Sequence, residues 1–287
     1  MSGSTSASGN DITVRRATDA DLDAIIEVAS ASLGWRSGEP HDELFRWKHF
    51  DNPFGVSPMW VAESGTDLAG FRAFMRWELE RPDGAPVRAV RAVDTATHPD
   101  HQRRGVFSKL TSHALGEMRD EGVDIVFNTP NEQSRPGYLK MGWIDVGRLP
   151  VAFRPTSFRA LPKLAKARTA AEKWSEHSPT GVAATEVIDD PVLATLLAGQ
   201  PSPTGLRTRL TADLLAWRYR LAPLRYRAWA PDGIAGGVVL FRVRRRGSAR
   251  ECSVGTVLAP GGDRSRVAHI QWRDVGVAVL TVVCQYP

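Results

Sequence analysis

The sequence predicts an α/β fold built on a mixed sheet, and three observations carry that reading. Residues 89–128 alternate strand, helix and strand, a βαβ unit that requires at least one parallel pair. Upstream of the helix, "LAGFRAFMRWELE" (68–80) and "VRAVRAVDTAT" (87–97) read as strands joined through "RPDG", whose Asp-Gly marks a tight reversal. Within the helix, Val106, Leu110, Ala114 and Met118 recur at the spacing that buries one stripe.

Taken in order, "ITVRRA" (12–17) is a strand and "DADLDAIIEVASASLG" (19–34) a helix, with Asp19 as N-cap and Gly34 as the stop. A second helix covers 41–50, "HDELFRWKHF", closed by Asn52-Pro53. Strands follow at 59–63, 68–80 and 87–97, then the helix after Gly105, a strand "DIVFNT" (124–129), a short helix near 134–141 and strands through 143–153. Residues 1–11 are polar and small, and are expected to be a disordered tail. Residues 154–180 are rich in Ala, Lys and Arg between prolines, with too thin an apolar face for a membrane helix, and read as a basic linker.

The second half echoes the first. "FRWKHFDNP" (45–53) and "LAWRYRLAP" (215–223) place a Trp-basic-aromatic triplet the same distance before a proline, and an Ala-Gly opening a long strand follows each. The expected organisation is therefore a domain over 12–153 and a smaller, degenerate copy over 181–287. The copy has no equivalent of residues 102–105.

Composition narrows the class. Hydrophobic content of 42% and charged content of 24% are those of a soluble globular chain. The apolar run "VGVAVLTVVC" (275–284) is half the length of a bilayer span and reads as a strand, so no membrane partner is expected. Cys252 and Cys284, the two cysteines, both lie in strand-like runs; two buried thiols in a reducing cytoplasm are expected, with a disulfide or a reactive thiol as the alternative. No Cys/His cluster has metal-ligand spacing, and no metal is expected. A net charge of +5 suits acidic partners. The basic run "RVRRRGSAR" (242–250) could serve a nucleic acid, but Val243 alternating with Arg242 and Arg244 suits the solvated end of a hairpin strand, and no nucleic-acid partner is expected.

The chemistry concentrates in "THPDHQRRGVF" (97–107), between strand and helix. A helix N-terminus presents unpaired N–H groups and a positive dipole end, Gly105 lets a bulky anion reach the backbone, and Arg103 and Arg104 add charge. The loop is not a Walker loop, because Gly-Lys-Ser/Thr is absent, nor a dinucleotide fingerprint, because one glycine stands where three are needed. Downstream, in "NEQSRPGYLKMGW" (131–143), Ser134 is a good N-cap, Pro136 fits only a first turn, and Gly142 terminates the helix. Gly137 weakens this already short helix, which suits presentation of Tyr138 to a ligand better than it suits propensity.

Gln102-Arg103-Arg104-Gly105, one turn after a strand and a proline, resembles the acetyl-CoA loop of the GCN5-related N-acetyltransferase (GNAT) family. The stretch 131–143 resembles that family's second cofactor motif, and the resemblance extends over roughly residues 12–153. The resemblance implies a GNAT-like fold, with the second half as a degenerate GNAT-like copy, and acetyl-CoA as acyl donor. It implies that the backbone from Arg103 through Arg104, Gly105, Val106 and Phe107 to Ser108 grips the pyrophosphate. It further implies that Thr95, Ala96 and Thr97 pair with the pantetheine arm in a slot where two strands splay, that Asn131 and Ser134 contact that arm, and that Tyr138 protonates the departing thiolate. Phe107 departs from the small residue usual in the family, so that either the pyrophosphate sits differently or Phe107 points into the core.

Acetyl transfer to an amine needs a neutral amine, an oxyanion donor and an acid for the thiolate. Asp94, on strand 87–97, is the candidate base, with Glu78, Glu80 or a water chain as alternatives. Phenylalanine at 138 keeps the ring, and is expected to leave stability intact while lowering turnover. Trp35, Phe45, Trp47, His49, Phe50, Phe54 and Trp60 could floor an apolar or cation-π acceptor pocket, or serve mainly as core. The expected activity is N-acetylation of a small-molecule primary amine; the alternative is a non-catalytic acyl-CoA-binding regulatory protein of the same fold. Oligomeric state is left open.

Overall fold

A computed structural model describes residues 11–147, 151–155, 170–263 and 279–283. These residues form two compact units. The first contains 11–79 and 86–146; the second contains 80–85 and the described residues from Gly147 onward.

In the first unit, strands β1 (Thr13–Arg16), β2 (Met59–Ser64), β3 (Asp67–Glu80), β4 (Pro86–Thr97) and β5 (Ile125–Phe127) pair in that order. The β1–β2 and β2–β3 pairs are antiparallel, and β4–β5 is the parallel pair that the βαβ pattern requires. The "RPDG" turn joins β3 to β4, with Gly84 at a φ of 82°. Helices α1 (Leu22–Ser32) and α2 (His41–His49) pack on one face, where Ile25, Val28, Ala29 and Phe45 meet Val61, Phe71 and Ala73. Helix α3 (Val106–Asp120) covers the other face. Its stripe of Val106, Leu110, Ala114 and Met118 lies against Trp60, Phe74 and Val90.

Local chemistry shifts some boundaries. The first helical turn is a 3-10 turn, Asp19–Asp21, capped by Thr18 and not by Asp19: the Thr18 backbone N–H and hydroxyl both donate to Asp21 Oδ2, at 2.7 and 2.9 Å. The short helix α4 (Arg135–Lys140) follows Ser134 and carries Pro136 in its first turn, as its sequence requires. Residues 143–147 are not a strand. The next strand, β6 (Val151–Pro155), pairs with β13 (Val279–Val283) in the sheet of the second unit.

The second unit carries short strands β7 (Ser175–Glu176), β8 (Val182–Ala183), β9 (Arg207–Thr208) and β10 (Arg227–Trp229), and the long hairpin β11 (Val238–Arg246) and β12 (Ala249–Leu258). Its sheet runs β6-β13-β12-β11-β10-β8, with β7 beside β11. Helices α5 (Ala184–Ile188), α6 (Pro191–Ala198) and α7 (Ala212–Arg220) accompany it, and Leu215 and Tyr219 pack on Val238, Leu240 and Leu258. The arginines of 242–250 are occupied: Arg244 and Arg246 bind the buried Glu251, Arg245 and Arg250 bind Glu176, and Arg242 donates to the Lys173 carbonyl. Cys252 is buried, and burial pushes its thiol far above the ordinary range. The tail 1–10, the core of the basic linker (156–169) and Cys284 lie outside the described residues.

Candidate active site

The site begins where β4 and β5 part. Their pairing runs Ala89↔Ile125, Val90↔Val126 and Arg91↔Phe127. There β5 ends, while β4 continues to Thr97, so its last six residues have no β5 partner. Asp94 stands in this unpaired stretch at a φ of 32°, an uncommon conformation for a non-glycine residue. Just beyond β5, the Asn128 Nδ2 is buried without a hydrogen-bond partner. Among the described residues, the parting thus leaves the end of β4 without a partner on its β5 side.

Two contacts hold the end of β4. Ser32 Oγ at the end of α1 donates to the Thr97 carbonyl at 3.0 Å, and the His98 N–H donates to the Ala69 carbonyl at 2.9 Å. Gly70 allows this crossing, since a Cβ there would lie 2.6 Å from the Ala96 oxygen and 3.0 Å from Val106 Cγ1. Thr95 Oγ1 donates to the Phe71 carbonyl, and the Ala96 side chain is in the core facing α1 and α2.

The loop then turns through a 3-10 segment, Pro99–His101, with Gln102 extended and exposed at its end. Arg103 and Gly105 both take left-handed φ values, 62° and 77°. Gly105 is the N-cap of α3 and, lacking a side chain, offers no acceptor to the N–H groups of Val106, Phe107 and Ser108. A Cβ on Gly105 would meet nothing within 4 Å, so the space over this helix end is open. The arginines diverge. Arg104 Nη1 lies 2.6 Å from His101 Nδ1, and its Nη2 donates to Ser64 Oγ at 3.1 Å, so its guanidinium braces the loop. Arg103 is exposed.

Helix α4 stands beside α3. Asn131 and Ser134 act first on the helix itself: the Asn131 Oδ1 accepts from the Ser134 N–H at 2.8 Å and from its hydroxyl at 2.9 Å. Tyr138 is buried, with its ring between Phe107 (5.3 Å between centroids) and Trp143 (4.7 Å). Its hydroxyl oxygen accepts a 2.6 Å hydrogen bond from Arg72 Nη2. Arg72, from β3, is 0% exposed and lies over the rings of Phe74, Phe107 and Tyr138, and its Nε and Nη1 have no partner. Burial disfavours the guanidinium's charge, and the tyrosine hydroxyl opposes that effect.

Residues 13–144 match the acetyltransferase (GNAT) domain family. The first unit carries a GNAT acetyltransferase domain. Solved structures share the fold across both units. An Enterococcus faecalis V583 protein of unknown function, described as a probable N-acyltransferase, is 13% identical with a TM-score of 0.68, over 95% of this chain and 64% of that one. A GCN5-related N-acetyltransferase from Kribbella flavida is 17% identical with a TM-score of 0.60, again over 95% and 64%. One from Anabaena variabilis is 13% identical with a TM-score of 0.66, over 94% and 65%. This chain therefore spans just under two thirds of their lengths. No curated protein matches the sequence.

Within the GNAT domain, the question raised by Phe107 has a structural answer. Its ring turns to α4, where it meets Tyr138 and lies 3.2 Å from the Cβ that a side chain at Gly137 would carry. Gly137, which helix propensity does not explain, is the space for that ring. Asp94 is turned to α2 and accepts from Lys48 Nζ at 2.6 Å and His49 Nε2 at 2.8 Å. Burial alone would raise the Asp94 carboxyl, but Lys48 and His49 outweigh it and hold the group well below the usual carboxylate range. Burial in turn lowers His49, whose Nδ1 has no partner. Of the aromatic residues that could floor an acceptor pocket, Phe45 in α2 and Trp60 in β2 are buried, Trp35 and Phe50 pack against the core, and Trp60 Nε1 donates to Glu117. Arg72, and the pairing of Lys48 and His49 with Asp94, are additions that the sequence motifs did not indicate.

Proposed function

We propose that this chain transfers an acetyl group from acetyl-CoA to the primary amine of a small molecule. The observation that carries the reading is the parting of β4 from β5 directly before the open N-terminus of α3. A thioester arm can lie along the unpaired backbone from Thr95 to Thr97. A pyrophosphate can accept from the N–H groups of Arg103 through Ser108, with Gly105 leaving room for it. Asn131 and Ser134, which cap α4, stand in sequence between that slot and Tyr138.

The amine nitrogen attacks the thioester carbonyl carbon, and the carbon–sulfur bond breaks. The thiolate takes the proton of the Tyr138 hydroxyl, and the phenolate regains one from solvent. The attacking nitrogen's surplus proton leaves through water. Asp94 meets a physical objection as the direct base, because two donors already stabilise its anionic form and leave it weakly basic. Its role in this reading is electrostatic, an anion on the α2 side of the sheet. The second unit, with its helix α7 before a proline and a long hairpin, is proposed as a degenerate copy that binds no acetyl-CoA.

The test is a panel of small amines screened for free-thiol release from acetyl-CoA. Saturable release with at least one amine is expected. Tight acetyl-CoA binding with no turnover on any amine would favour the regulatory acyl-CoA-binding alternative.

A further inference from the structure

Among the described residues of the first unit, Arg72 is the most completely enclosed charged side chain, and no carboxylate among them answers it. Its guanidinium is 0% exposed and is covered by the rings of Phe74, Phe107 and Tyr138 at 4.7, 5.2 and 5.3 Å. Among the described residues, its one hydrogen bond goes to the Tyr138 oxygen. A cation at such a position is costly, and a methionine of similar length would fill the same space without that cost. The bond nevertheless does something particular to the phenol. Because Arg72 can only donate, it occupies a lone pair of the oxygen and leaves the tyrosine's own O–H directed elsewhere. It also sets a positive charge 2.6 Å from the atom that becomes negative when that proton is given up.

We propose that Arg72 is a positioning residue for the acid step: it aims the Tyr138 proton away from the core and stabilises the phenolate left behind. This rests on the reading of Tyr138 as the acid. The same contact explains why Phe107 replaces a small residue, since its ring closes one side of the guanidinium and one side of the phenol.

A double-mutant cycle on turnover tests it. Free-thiol release from acetyl-CoA is measured with the fastest amine of the panel, or with water as acceptor where no amine reacts. Arg72→Met is expected to lower turnover about 10- to 100-fold, the worth of a hydrogen bond to a charged group, with KM for acetyl-CoA nearly constant. In a Tyr138→Phe background, the same substitution is expected to cost nothing further. Arg72→Lys, which keeps a cation, is expected to recover part of the loss. Should Arg72→Met not fold, Arg72→Lys carries the cycle, with an intermediate loss in the parent and none in Tyr138→Phe. Equal losses in both backgrounds, or no loss in the parent, would overturn the proposal while leaving Tyr138 in place. Undiminished turnover in Tyr138→Phe would remove the acid reading first, and this inference with it.

Discussion

Replacing Tyr138 with phenylalanine tests the structure as well as the chemistry. The ring survives, and on packing alone the domain would keep its melting temperature. The structure adds a term that runs the other way. Arg72 Nη2 donates to the Tyr138 oxygen, and among the described residues Arg72 Nε and Nη1 have no partner, so the variant leaves a fully enclosed guanidinium without a hydrogen bond. A hydrogen bond to a charged group is worth about 1.5–3 kcal/mol, and the larger end applies where the charge cannot reach water. For a domain of this size that is a fall of about 5–10 °C in melting temperature. The assay is thermal unfolding followed by circular dichroism, with urea unfolding as a second measure. Arg72→Met in the same background is expected to restore most of the loss, because it removes the stranded charge and keeps the volume. A Tyr138→Phe protein that melts with the parent would show instead that Arg72 finds another acceptor and is not stranded.

Two further predictions follow from the same unit. Gly70→Ala should cost about 1–3 kcal/mol and weaken acetyl-CoA binding, since its Cβ would press on the Ala96 oxygen and on Val106 at the start of α3; unchanged stability by urea unfolding would show that the crossing is looser than its distances imply. Asp94→Asn should destabilise the domain by about 2 kcal/mol at neutral pH. The Asp94 carboxyl is depressed in the fold, so its contribution is fully present above the ordinary carboxylate range, near 4, and is lost as pH falls through the lower folded value. Parent and variant should therefore converge in strongly acidic solution, and a gap that does not narrow there would contradict the assigned charge state.

What the sequence made legible was local. Helix periodicity placed Val106, Leu110, Ala114 and Met118 on one buried stripe, and all four are in the core. Pro136 and Gly142 bracketed α4, because a proline fits only a first turn and a glycine, here at a φ of 86°, commonly ends a helix. The boundary errors arose where neighbouring side chains compete, as when Thr18 and Asp21 close a capping box that moves the N-cap from Asp19. Long-range pairing left no such trace: Asp94 and His49 are 45 residues apart, and nothing in either segment names the other. Arg72 did leave a signal. Period-two alternation sets it on the same face as Phe74, while Phe71 and Ala73 fill the other, so a cation stands in a strand apolar on both faces. A charge at that position is a site to explain. Asp94's left-handed backbone, by contrast, occurs without the glycine that usually announces it.

In the proposed function, the open N-terminus of α3 holds the pyrophosphate of acetyl-CoA. Gly105→Glu is a blunt probe of it, because φ at Gly105 is 77° and a side chain there strains the backbone whatever the ligand does. Ser108→Glu is cleaner: Ser108 is exposed in the first turn of α3, where a carboxylate favours the helix and would occupy the place assigned to the phosphates. Calorimetric titration with acetyl-CoA should give one site per chain in the parent and none in Ser108→Glu, with the variant melting at or above the parent temperature. Parent-like binding by a folded Ser108→Glu protein, or two equivalent sites in the parent, would contradict the claim.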